Sequence, residues 1–450
     1  MADSPHSPHS ATPSAPSSAF LDATSLAIHE RMASAKAPAA DGPEDYPGQA
    51  HLWAKAAQAG EELAEELREL ALDLHAHPEL AFEERRSAEA LAQAVEKRGF
   101  SVERGAHGVE TALRAEWASE DFDPAQHPTI AVMSEYDALP GIGHACGHNI
   151  IAASGVGAFL AATSVLGDTE ARVVFLGTPA EEGHSGKEYM IRGGMLDGVD
   201  AAVMIHPFSY DIASHVWVGR RTLSVTFQGV AAHASSQPFM GRNALDAASL
   251  AYQGMGLLRQ QMPPSDRLHA VITDGGHRPS VIPGEARMDI YVRSSLTETL
   301  MDLSSRIDDV LDGAALMAGV SVEKSWDTHP MSLPIRNNET IAARWAVSQS
   351  ARGRLALPAG VVPETLAAST DFGNVSHLVP SIHPMVKIAP EGVALHTEEF
   401  ARWAGSEDGI SGLNDATAGL AQVIIDLVSD PRLLPAAREE FQRAGGAVTS

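Results

Sequence analysis

Three apolar stretches, each running straight into chemically reactive side chains, constrain this chain more than any other feature. TIAVMSEYD leads into Glu135 and Asp137 and, one Pro/Gly-rich loop later, into Cys146 and His148. ARVVFLGTPAEEG ends on Glu181 and Glu182, and DAAVMIHP ends on His206. Each apolar run has the residue types of a buried strand. The first is followed by AASGVGAFLAA, a run of small residues suited to a closely packed helix. Strand, loop and helix in that order place the loop at the carboxyl end of a strand, where open α/β sheets hold their ligands. All three strands therefore deliver their polar residues to one sheet edge.

Cys146 is the only cysteine and stands two positions from His148. In a turn or an extended loop, a thiolate and an imidazole at that separation can point at one ion. Taken singly, a lone cysteine is more often a small buried hydrophobe, and a glutamate pair is more often a solvated surface feature. Their common position at strand ends favours a metal centre. Adjacent residues at a strand end point to opposite sides, so one of Glu181 and Glu182 can ligate while the other reaches a bound water.

The chain has 450 residues, enough for two domains with separate cores. A formal charge of −26 argues against nucleic acid as a partner. A single cysteine excludes an intramolecular disulfide and fits a reducing compartment, so the expected location is cytoplasmic. No apolar run is expected to approach the length needed to span a bilayer. Residues 1–50 open with SPHSPHSATPSAPSSA and are expected to be a disordered Ser/Pro/Ala-rich tail outside the fold. Leu63, Leu67, Leu70 and Leu74 recur at helical spacing before Pro78. Ser87 to Arg98 reads as a second helix, and helices then alternate with strands. The expected fold is α/β, with a mixed, partly parallel sheet built from residues 51–220 and 334–450. Between them, residues 221–333 hold two strand–helix pairs, TLSVTFQG and ARMDIYVRS among them, and read as a smaller α+β domain.

HACGHN, TPAEEG, MIHP and ALHTEEF, in that order, resemble the motifs of the dinuclear metallopeptidase and amidohydrolase family that holds carboxypeptidase G, aminoacylase, hippurate hydrolase and the auxin-conjugate amidohydrolases. STDFGNVSHLVPSIHP is similar to the branch with aminobenzoyl-glutamate hydrolase and a β-alanyl-lysine dipeptidase. The resemblance covers about residues 50–430. It implies two divalent ions per subunit, zinc or manganese with cobalt as a further candidate. Cys146 would bridge them; His148, Glu182, His206 and His396 would complete the ligand set; Glu181 would be the general base; and Asp137 would orient a ligand from behind. The 221–333 insert would be a lid and dimerisation domain carrying His233 to the partner subunit's active site, in a homodimer or larger homo-oligomer. Asn243 and Arg293 would hold the substrate's carboxylate or backbone, while Asp371 and His383 would lie at the pocket rim or serve as a helix N-cap and a packed loop histidine. The implied activity is hydrolysis of the amide bond in dipeptides or N-acyl amino acids, including aminobenzoyl-glutamate-like substrates.

The chain departs from the family at Ser280, in SVIP, where many members carry asparagine. Two other readings start from the same residues. In one, Cys146 is a thiol nucleophile paired with His148 or His206. In the other, the scaffold binds metal or ligand without turnover.

Overall fold

The computed structural model describes residues 16–38, 50–167 and 169–448. Helices α1 (Ala19–Ser34), α2 (Ala50–Ala76) and α3 (Arg85–Glu96) precede strands β1 (Val102–Arg104), β2 (Leu113–Ala118) and β3 (Thr129–Ser134). Then come α4 (His148–Leu166), β4 (Arg172–Gly177), α5 (Gly186–Arg192), β5 (Ala201–Val203) and β6 (His206–Phe208). The middle of the chain holds β7 (Gly219–Gln228), β8 (Ala232–His233), α6 (Ala244–Leu258), β9 (Arg267–Asp274), β10 (Val281–Ile282), β11 (Glu285–Ser294), α7 (Thr297–Ala318) and β12 (Ser321–Trp326). The last part holds α8 (Glu339–Ser350), α9 (Phe372–Ser376), β13 (Ser381–Ile382), β14 (Met385–Lys387), α10 (Glu398–Ala404), α11 (Glu407–Ser429) and α12 (Leu433–Arg443).

The larger sheet runs β1-β2-β4-β3-β5-β13. Its β4, β3, β5 and β13 are parallel and its β1 and β2 antiparallel, so it is mixed and partly parallel as expected from the sequence. α2 lays Leu63, Leu67, Leu70 and Leu74 into the core, and α4 and α11 pack beside it. Small residues let α4 approach the sheet: a Cβ on Gly155 would stand 2.8 Å from the Met133 carbonyl oxygen. α4 also corrects one expectation. By length and composition it could cross a membrane, yet 89% of its apolar 18-residue window is buried inside the protein, as the core helix of this sheet.

The middle of the chain builds its own antiparallel sheet, β12-β7-β11-β9, with α6 and α7 packed against it over Leu223, Val225, Phe227, Met288, Ile290, Leu303 and Ile307. Strict alternation along β11 turns Ala286, Met288, Ile290 and Val292 inward. Tyr291 and Arg293 therefore project from the opposite face.

The expectation that residues 1–50 lie outside the fold fails over Ala19–Ser34, which forms α1. Ile28 is buried with Phe208, Tyr210, Ile212 and Trp217, and Met32 packs beside them. His29 pairs with Glu391 at 2.8 Å, and Arg31 donates to the Gly360 carbonyl at 3.2 Å. One apolar pair four residues apart suffices to anchor a helix whose other faces are wet. That is too little to register as amphipathic periodicity in a Ser/Ala-rich stretch. The remainder of the expected tail, residues 1–15 and 39–49, lies outside the described residues.

Candidate metal centre

β3, β4 and β5 end side by side, and the polar residues that follow them converge. Cys146 and His148 flank Gly147, which has φ +75° and whose Cβ position would fall 2.8 Å from Pro207 Cγ. No side chain fits there, so the glycine permits the turn that sets thiol and imidazole on one side. His206 starts β6, and β6 pairs with β14 from the last part of the chain. His396 has a left-handed backbone (φ 61°) and its N–H donates to the Ala145 carbonyl at 3.0 Å. This bond ties the C-terminal histidine to the cysteine loop.

The donor atoms fall into three trios whose members lie within 4.8 Å of one another: Cys146, His148 and His206; Cys146, Glu182 and His396; and His148, Glu181 and Glu182. Cys146 belongs to the first two, His148 to the first and third, and Glu182 to the second and third, so the trios overlap. His148 Nε2 and Glu182 Oε1 are buried without a hydrogen-bond partner, and His396 Nε2 stands 3.5 Å from Glu182 Oε1. Unpaired buried nitrogen and oxygen atoms beside a thiol suit divalent ions that take nitrogen, oxygen and sulphur donors. The residues present therefore fit such ions.

Asp137 is fully buried and accepts from His148 Nδ1 at 3.1 Å and from the Glu182 N–H at 2.8 Å. Burial alone would raise its carboxyl; the His148 bond and the backbone donors outweigh that and hold it below the usual range. The same pair fixes the His148 tautomer and turns its Nε2 into the centre. Burial, then the charge of His148, pushes His206 down to about 3, so this ring is neutral and free to ligate. Burial, reinforced by Glu182 and Glu135, pushes Glu181 well above the usual carboxylate range. Burial and the Glu182 charge also push the Cys146 thiol up. A nucleophilic cysteine needs the reverse shift, whereas a divalent ion at the sulphur removes its proton outright.

Beneath the donors lies a charge network that sequence reasoning missed. Lys187, fully buried, donates from Nζ to Glu135 in a short contact and to Asp371 Oδ1 at 2.7 Å. Asp371 occupies the N-terminal position of α9 but makes no side-chain cap bond there. It binds the Lys187 backbone N–H instead, at 2.9 Å. Burial alone would lower Lys187; Asp371 and Glu135 outweigh it and keep it charged. A lysine shortly after a glutamate pair was the available signal. His383 is also fully buried, stacked on Phe372 with ring centroids 4.9 Å apart and 5.6 Å from His206.

The donors open into a cavity of about 510 Å³ whose opposite wall comes from the second sheet: Arg220, Tyr291 and Arg293, with Trp217, Ser369 and Leu395 at the sides. Two expected residues lie elsewhere. His233 is exposed on β8, where its Nδ1 accepts from the Ser235 and Ser236 N–H groups. Asn243 caps α6, accepting from the Leu245 N–H at 3.0 Å and donating to Asp246. Neither lines the cavity of its own chain.

Residues 131–418 match the peptidase family M20/M25/M40. Xaa-Arg dipeptidase of Mus musculus is 35% identical, over 87% of this chain and 92% of its own length. One of the p-aminobenzoyl-glutamate hydrolase polypeptides of Escherichia coli is 30% identical, over 82% of this chain and 90% of its own. Among solved structures, a dinuclear metal-binding peptidase of the M20 family from Bacillus subtilis superposes with a TM-score of 0.62 at 20% identity, covering 81% of this chain and 99% of that one. The chain belongs to the peptidase family M20/M25/M40, the hydrolase family its motifs resemble.

Proposed function

We propose that the amide hydrolysis expected of this family is carried out here on dipeptides or N-acyl amino acids, with Glu181 as general base beside two divalent ions. The observation that carries the reading is that Cys146, His148, Glu181, Glu182, His206 and His396 form three overlapping donor trios, with Cys146 shared by the one holding His148 and His206 and the one holding Glu182 and His396. When bound, such a pair of ions lowers the pKa of a shared water and polarises a carbonyl. Glu181, whose carboxyl lies with His148 and Glu182 in one donor trio, would take a proton from the attacking water and pass it to the departing amine. Asp137 holds His148 in register throughout. Arg293, with no carboxylate of its own in the described structure, meets the substrate's carboxylate as a two-pronged donor.

The reading extends to the quaternary level. The middle sheet leaves β9 as an edge, with Val271 exposed on it and Tyr252 and Leu257 exposed on the neighbouring α6. An unpaired edge with apolar neighbours supports pairing with a second copy. In such a dimer His233 would reach the partner's cavity and bind the carbonyl oxygen as charge develops. The segment 221–333 is thus proposed as lid and dimerisation domain, and 51–220 with 334–450 as the catalytic domain. The mixed sulphur, nitrogen and oxygen donor set accommodates zinc, manganese or cobalt. A cysteine committed to metal supports a reducing, cytoplasmic setting.

The deciding experiment is hydrolysis of a panel of dipeptides and N-acyl amino acids by chelated protein, before and after addition of zinc, manganese or cobalt. Cleavage restored by metal is the expected result. Full cleavage by the chelated protein would return Cys146 to consideration as a nucleophile.

A further inference from the structure

The wall facing the metal donors carries two cations and no anion. Arg220 on β7 and Arg293 on β11 are directly opposed partners in the antiparallel ladder, and both side chains leave the sheet on the face away from α6 and α7. Like charges directly opposed across a ladder are destabilising. Nothing among the described residues neutralises them: neither arginine has an ion pair there, and the Nε atoms of both are buried without a hydrogen-bond partner. Arg220 is only 7% exposed. Its one side-chain partner is the Ser185 hydroxyl, 3.1 Å from Nη2, which is neutral. Both guanidinium groups approach the ring of Tyr291, at 5.9 Å for Arg220 and 5.3 Å for Arg293. Burial, together with the neighbouring Arg220 charge, lowers Arg293. An uncompensated buried charge costs several kcal/mol, so a pair held in this way is poised for an anionic ligand.

We infer that Arg220 and Arg293 form a cradle for two carboxylates on the released amino acid, so that the chain favours substrates ending in glutamate or aspartate. This rests on the hydrolase reading above. The α-carboxylate present in every such substrate neutralises one guanidinium and leaves the other uncompensated. A second carboxylate, two or three bonds further on, matches the second guanidinium. The remaining wall residues, Trp217, Tyr291, Ala367, Ala368 and Ser369, bring no charge of either sign. A basic terminal side chain directed at this wall would add a third cation to the pair. Arg220 is thus a specificity-determining residue, and Ser185 holds its guanidinium in place.

The test compares three substrates with a common acyl part, Leu-Glu, Leu-Ala and Leu-Arg, hydrolysed by metal-loaded protein. Wild type is expected to show kcat/KM for Leu-Glu about 10- to 100-fold above Leu-Ala, the range a charge-assisted hydrogen-bonded pair contributes, with Leu-Arg lowest. In Arg220→Gln the Glu-to-Ala ratio should fall by about tenfold or more. A wild-type preference for Leu-Ala or Leu-Arg, or a ratio unmoved in the variant, overturns the cradle and leaves the hydrolase reading intact. A second measurement needs no variant and no turnover: calorimetric titration of the metal-loaded wild type with glutarate and with butyrate. Tighter binding of the dicarboxylate supports the cradle even if no dipeptide is cleaved; equal binding overturns it.

Discussion

The floor of the cavity and its far wall are built on opposite electrostatic plans. The floor gathers Glu135, Asp137, Glu181, Glu182 and Asp371 around the buried Lys187 and His148. The wall gathers Arg220 and Arg293, neither of which has an ion pair among the described residues. Each side alone is an electrostatic liability, since like charges crowd at low dielectric. Together they describe what is to sit between them: cations on the floor side and an anion on the wall side. The floor resolves its imbalance partly within the protein, through Lys187. The wall has no such internal remedy.

Breaking the floor should have the larger effects. Glu181→Gln keeps the carbonyl oxygen but cannot take a proton. Activity should fall by about 10²- to 10⁴-fold, with bound metal, measured by elemental analysis, unchanged; a variant retaining most of its turnover removes Glu181 from proton transfer. Lys187→Met leaves Glu135 and Asp371 buried and unpaired, and should lower unfolding free energy by about 3–5 kcal/mol in denaturant titration. The exposed Arg68–Glu407 pair offers the contrast, because water screens a surface pair and its removal should change stability little. His396→Ala removes a donor from one trio only, and should reduce bound metal toward half of the wild-type content. Equal metal content in His396→Ala and wild type would detach the C-terminal histidine from the centre.

A subtler probe of the floor is Glu84, which accepts from the Ala180 N–H at 2.8 Å and the Thr111 hydroxyl at 2.9 Å. Burial and the nearby Asp137 charge push its carboxyl up to about 7. The folded state then holds a proton that the unfolded chain releases near pH 4.5. This contribution is fully present below the unfolded value and is lost as pH rises through about 7. Thermal unfolding of metal-free Glu84→Gln should depend less on pH between about 4.5 and 7 than wild type does. Parallel profiles would mean Glu84 is ionised throughout. On the wall, Ser185→Ala removes the hydroxyl that steadies Arg220. The expected effect is the smallest, a rise in KM of about two- to tenfold for acidic substrates.

The floor was legible in the sequence because its donors sit at the ends of apolar strands, where period and position can be read directly. Cys146, His148, Glu181, Glu182 and His206 share that local signal, and the likeness to a known family supplied His396. The wall was half legible. Arg293 was marked as a carboxylate holder, but its pairing with Arg220 depends on the β7–β11 register, which joins positions far apart in the chain. Lys187 escaped notice because a lysine after a Gly-rich loop reads as surface, and only packing against Asp371, 184 positions away, buries it. Helix α1 was missed because its anchoring cluster comes from residues between 208 and 385.

That helix touches none of the metal donors, yet Ile28 shares a cluster with Trp217, and Leu395 packs against the same cluster beside His396. It braces the rim of the cavity from outside, in the way a buttress steadies an arch it does not form. A protein shortened to begin at Ala50 would keep all six residues of the donor trios and still lose that brace. Its grip on substrate should weaken before its chemistry does, so the segment that resembles a dispensable leader belongs to the working enzyme.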